Sequence, residues 1–179
     1  MHRLFVAVRP PASVRAQLLD IMGGVRGARW QGEDQLHLTV RFIGDVDRHG
    51  AADADAALRS IRHPRFFLRL HGVGAFDRRG AATVRWAGVS PQEEARALHR
   101  KIDQALARAG LPPESRAYAP HITLARLRPG AGPIEPLLAA AGTLASPPFP
   151  VDEFRLYESR LSPDGAEYSV VERYPLDRA

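Results

Sequence analysis

The sequence twice places a histidine two residues ahead of a threonine, with aliphatic residues between and after them. The segments are His37-Leu38-Thr39-Val40 and His121-Ile122-Thr123-Leu124. Seven His and four Thr placed at random in the chain would give about 0.16 of a His-x-Thr match. Two matches with the same apolar flanks call for a reason. An imidazole titrates near neutral pH, so two that face each other can divide acid and base work. In-line displacement at phosphorus suits such a pair: a neutral imidazole activates water and an imidazolium protonates the departing oxygen. Threonine hydroxyls beside them can donate to the non-bridging phosphoryl oxygens, and an arginine would add a bidentate grip.

A strand must carry each motif. Successive side chains leave opposite faces of a strand, so His37 and Thr39 point one way, as do His121 and Thr123, with the aliphatic residues turned to a core. The same alternation puts Arg41 on the polar face as a candidate phosphate ligand. Arg126 falls on the core face by this count, unless the strand ends or bulges first.

Around these strands the pattern mixes α and β. "RLFVAV" (3–8) reads as an opening strand and Ser13–Met22 as a short amphipathic helix stopped by Gly23 and Gly24. The first motif strand spans about 35–43, and an alanine-rich helix about 50–61. "RFFLRLHGVGAF" and "AATVRWAGV" form a hairpin around "DRRG". Ser90, Pro91 and Glu93 suggest a capping box for a helix with Ala95, Leu98, Ile102, Leu106 and Ala109 on its apolar face. A short helix at 137–144, a break at "SPPFP" and two final strands around "SPDG" complete the chain. Mixed helices and hairpins favour an α+β fold with antiparallel sheet. One motif strand in each half (36–42 and 120–126) suggests a single domain of two similar lobes across a cleft.

Bulk properties narrow the function. A 179-residue chain supports one domain with a sizeable core. No apolar run approaches membrane-spanning length and the N-terminus lacks a signal-peptide pattern, so a soluble, cytoplasmic monomer is expected. Zero cysteines exclude disulfides, thiolate nucleophiles and Cys-based zinc sites. The net charge of +5 suits a polyanionic partner. However, Lys101 is the sole lysine and asparagine is absent, so the arginine excess also fits compositional bias.

Taken together, "HLTVRFIGDV", "HITLARL", "RLFVAV", "VRWAGV" and "LYESRLSPDGAEY" resemble the 2H phosphoesterase superfamily, specifically its RNA 2′,3′-cyclic phosphodiesterases, also called 2′-5′ RNA ligases. The likeness covers nearly the whole chain. It implies a bilobal α+β fold, two pseudo-symmetric lobes with antiparallel sheets facing a central cleft. It also implies metal-independent opening of RNA 2′,3′-cyclic phosphate ends to a 2′-phosphate, without cofactor, and reversible ATP-independent 2′-5′ joining. By the same resemblance His37 is the general acid, His121 the general base, and Thr39, Thr123 and Arg126 hold phosphate.

Other readings stand beside this one. A two-histidine metal site would need further ligands, and only Asp45 is near. The same chemistry could serve a cyclic nucleotide or another small cyclic phosphate, and a silent RNA-binding module would need the basic cleft but not the histidines. Tyr118 and Phe42 are candidates for base stacking, whereas Phe5, Phe66, Phe67 and Trp86 read as packing. His99 is expected to be solvated, and His71 could approach the cleft.

Overall fold

The computed structural model describes residues 1–78, 81–163 and 165–178. The turns expected at 77–80 and 162–165 include Arg79, Gly80 and Asp164, which lie outside the described residues. In chain order the elements are β1 (His2–Val8), α1 (Ala12–Asp20), β2 (Ala28–Trp30), a 3₁₀ turn (Glu33–Gln35), β3 (Leu38–Val46), α2 (Arg48–Arg59), β4 (Phe66–Arg78), β5 (Ala81–Ser90), α3 (Gln92–Arg108), β6 (His121–Leu127), α4 (Glu135–Ala141), β7 (Phe149–Val151), β8 (Glu153–Ser162) and β9 (Gly165–Pro175). The short strands β2 and β7 give no sequence signal, because three residues are too few to show alternation.

The strands join in the order β7-β4-β5-β6-β3-β1-β8-β9, with β2 beside β6, and every described strand pairing is antiparallel. The two motif strands therefore sit side by side at the middle of the order. They touch at one pair, Leu38 opposite Ile122, and three strands lie beyond each.

The two faces of this sheet have different tasks. Leu4, Val6, Val8, Leu38, Val40, Ile122 and Leu124 are buried in one core with residues from α1, α2 and α3. In α3 the buried residues are Ala95, Leu98, Ile102 and Leu106, the spacing of one helical face; each large one contributes about 1.5–3 kcal/mol by leaving water. Phe5 and Ala7 project to the opposite face, where they pack with Tyr157 and Tyr168. An antiparallel sheet with one face on the core leaves the other open for a site.

The start of α3 differs from expectation. β5 continues through Ser90, and Pro91 takes the N-cap position with no side-chain cap hydrogen bond, so Ser90 caps nothing. By contrast Asp47, at the start of α2, accepts from the Gly50 N–H at 2.8 Å. The fourth helix starts and ends earlier than the 137–144 expected, and Leu144 is buried beyond it.

Candidate active site

The same backbone irregularity follows both motifs. Along β1 and β3, Ala7 pairs with Thr39 but Val6 pairs with Arg41, leaving Val40 as an extra residue. Along β5 and β6, Trp86 pairs with Thr123 and Arg85 with Ala125, leaving Leu124 extra. A bulge places two successive residues opposite one and reverses the alternation beyond it. Val40 and Arg41 are thus both buried, as are Leu124 and Ala125. Phe42 and Arg126 then turn back to the open face, at matching positions after His37 and His121.

This corrects the placement of Arg41. Its side chain enters the core side, where Nε donates to Asp103 at 2.6 Å, a second nitrogen lies 3.6 Å from Glu114, and the carbonyls of Phe42 and Pro112 accept from the same guanidinium. It is 5% exposed and does not line the cleft. Tyr118 is corrected too. Its ring stacks on His99 at 4.2 Å, its hydroxyl donates to the Thr39 carbonyl at 3.0 Å, and it does not line the cleft. His99 is likewise not solvated: Nδ1 lies 2.7 Å from the Val40 carbonyl. His71 pairs with Ala145, away from the cleft.

His37, Thr39, Phe42, Thr123 and Arg126 line one cleft of about 400 Å³, walled on its other side by the β8–β9 hairpin. His121 does not itself line this cleft but lies two residues before Thr123 on β6, edge-on to Phe76 at 4.8 Å and 6.4 Å from the Trp86 ring. Its charge still bears on His37, so the two motifs face one site. Phe5 lies 4.9 Å from the His37 ring, with Tyr157 behind it and Tyr168 edge-on to His37 at 5.3 Å. Phe5 and Trp86 therefore pack, as expected, but against the histidines themselves. Alternation alone could not say which face of β1 would meet His37.

The two histidines are held alike. The His121 Nδ1 donates to the Ala119 carbonyl at 2.6 Å, and His37 interacts with the corresponding carbonyl, that of Gln35. With Nδ1 carrying the proton, Nε2 is the working atom of each ring. The Thr39 hydroxyl lies 3.0 Å from the His37 Nε2 and donates to it in this tautomer, whereas the His121 Nε2 has no partner among the described residues. Burial pushes the His37 pKa down to about 4, with the charges of Arg9 and His121 adding to it against the Gln35 carbonyl. Burial also lowers that of His121, with Arg126 adding and the Ala119 carbonyl opposing.

The lowered pKa of the half-buried His37 has a stability consequence. From pH 6.5 down to about 4 the unfolded chain takes up a proton that the folded chain refuses, so stability falls as pH falls through that window. By pH 4.5 the loss from this group is about 2–3 kcal/mol. Urea unfolding at pH 7 and pH 4.5 should show His37→Gln losing less stability than the wild type by that amount. Equal losses would mean that His37 protonates freely in the folded protein.

Among the described residues, no three His, Asp or Glu side chains group so as to hold a metal ion. Asp45 belongs to β3 and pairs with Arg3 across the ladder. No described helix is long and apolar enough to cross a membrane.

Residues 10–162 match the sequence profile of the 2′-5′ RNA ligase superfamily. The chain belongs to that superfamily. Over 142 residues it is 33% identical to an RNA 2′,3′-cyclic phosphodiesterase of Aeropyrum pernix, covering 78% of this chain and 81% of that relative. A Thermus thermophilus protein of the same name is 32% identical over 185 residues, covering 97% of this chain and 90% of the relative. Among solved structures, Escherichia coli LigT complexed with 3′-AMP superposes with a TM-score of 0.77 at 28% identity, covering 98% of each chain. A solved structure from Thermus thermophilus gives a TM-score of 0.79 at 28% identity over 97% of each. These matches bear out the resemblance drawn from the motifs and the α+β class with its antiparallel sheet. Along this cleft, sequence reasoning misses Arg3, Arg29, Gln35 and Tyr168, which lie on four elements and share no local pattern.

Proposed function

We propose that this protein opens RNA 2′,3′-cyclic phosphate ends by a metal-independent two-histidine mechanism, leaving a 2′-phosphate. The observation that carries this reading is that His37, Thr39, Thr123 and Arg126 line one cleft, with His121 near enough for its charge to bear on His37. The names of its relatives, RNA 2′,3′-cyclic phosphodiesterases, supply the substrate class.

His121 is the base: its Nε2, free of partners among the described residues, takes the proton of the attacking water. His37 is the acid. It is neutral in the empty cleft and gains its proton when an anionic phosphate docks against it, because the phosphate charge favours imidazolium. The proton then passes to the departing 3′ oxygen. Thr39 and Thr123 donate to the non-bridging oxygens, and Arg126 answers the charge that the pentacoordinate phosphorus spreads over them. Phe42, 43% exposed on the cleft wall, offers its ring to the terminal base. When a ribose 5′-hydroxyl takes the place of water, the same displacement with the same histidine roles gives 2′-5′ joining, and the reverse reaction, in which the roles exchange, cleaves that linkage back to the cyclic phosphate. The adjacent motif strands with three strands beyond each support one domain of two similar lobes.

The test is to incubate the purified protein, with excess chelator, with a short RNA ending in a 2′,3′-cyclic phosphate and to identify the product phosphate. Opening to a 2′-phosphate at an undiminished rate is expected. RNA that binds but stays closed would make this a silent binding module. Opening abolished by the chelator would overturn the metal-independent mechanism.

A further inference from the structure

Two histidines, two threonines and Arg126 account for one part of the cleft. The rest is lined by further cations. Arg29 on β2 and Arg126 on β6 stand directly opposite each other in the ladder, where like charges repel. Arg3 on β1 lines the same cleft, about 7 Å along the strand from Phe5, with its guanidinium 5.4 Å from the centre of the Phe42 ring. The charges of all three arginines bear on one point, the Tyr168 hydroxyl. No carboxylate lines this cleft among the described residues.

Three guanidiniums that line one cleft present fork-shaped, charge-assisted donors to more than one anionic group. A cyclic phosphate carries a single negative charge, which Thr39, Thr123 and Arg126 already answer. Arg3 and Arg29 line the cleft beyond that group. Gly165, with φ 135°, keeps the hairpin backbone beside them: a Cβ there would press on the Arg29 guanidinium.

We propose that Arg3, Arg29 and the Tyr168 hydroxyl form a second phosphate subsite for the phosphodiester immediately 5′ to the terminal nucleotide, so that the preferred substrate is an RNA of at least two nucleotides. This deepens the cyclic-phosphate reading and rests on it. An RNA ending in a cyclic phosphate has nothing further on its 3′ side, so its next phosphate reaches the cleft through the 5′ carbon of the same nucleoside. That nucleoside spans the two subsites along the Phe42 wall.

The test compares kcat/KM for three substrates: a nucleoside 2′,3′-cyclic phosphate, a dinucleotide ending in the same group, and that dinucleotide with an uncharged methylphosphonate linkage. The wild type and Arg3→Gln, a substitution at an exposed position, are measured on each. The wild type should favour the charged dinucleotide over the mononucleotide by tenfold or more. The methylphosphonate should forfeit most of that gain. Arg3→Gln should bring the dinucleotide-to-mononucleotide ratio several-fold closer to one, and added salt should shrink the wild-type advantage. Equal values for mononucleotide and dinucleotide would overturn the subsite, as would a methylphosphonate as good as the phosphodiester or a ratio unmoved by Arg3→Gln. In each of those cases the mononucleotide is still opened and the cyclic-phosphate reading survives. If none of the three is opened, that reading falls and the subsite with it.

Discussion

His37→Ala and His121→Ala should each lower kcat/KM for a 2′,3′-cyclic phosphate by about 10³-fold or more, within the range that positioned acid and base groups supply. The double substitution should cost little beyond either one, because the acid and the base act in a single displacement. A surviving rate within tenfold of wild type in either variant would remove that histidine from the mechanism. Glutamine versions at both positions guard against misfolding, since His37 packs against Phe5 and Tyr168. The pH profile should carry the same signature. kcat/KM reports the free enzyme, in which both imidazoles have lowered pKa values, so its optimum should lie below pH 6.5 with a limb on each side. The kcat profile should sit at higher pH, because the bound anion favours imidazolium. A profile with one limb would count against paired roles.

The second large effect separates two arginines that alternation alone would have assigned the wrong way round. Arg41→Ala removes a buried guanidinium from between the half-buried Asp103 and Glu114 and two backbone carbonyls, four acceptors that lose their shared charged donor. It should destabilise the fold by about 2–3 kcal/mol. Arg126→Ala removes an exposed side chain from the cleft wall. It should leave the urea midpoint nearly unchanged while lowering kcat/KM by about 10–100-fold, the worth of a charge-assisted hydrogen bond. Measuring both quantities on both variants tests the paired bulges directly. If Arg41→Ala kept its stability and lost activity, the flipped register after Thr39 would be wrong.

By itself the sequence determined the chemistry. The repeated His-x-Thr spacing requires two strands with polar faces, and the aliphatic residues Leu38, Val40, Ile122 and Leu124 say which side is core; all four are buried. The spacing of Leu98, Ile102 and Leu106 likewise fixed the buried face of α3. These features are legible because period-2 and period-3.6 patterns are local.

Tertiary pairing decided what lies beyond each threonine. A bulge depends on how a neighbouring strand is registered, and β1 and β5 are far from β3 and β6 in the chain, so counting along "HLTVRF" sent Arg41 to the wrong face. The aromatic support of the histidines and the arginine-lined half of the cleft were hidden for the same reason. Phe5 and Arg3 come from β1, Arg29 from β2, Trp86 from β5 and Tyr168 from β9, and only the order in which those strands pair brings their side chains to one face.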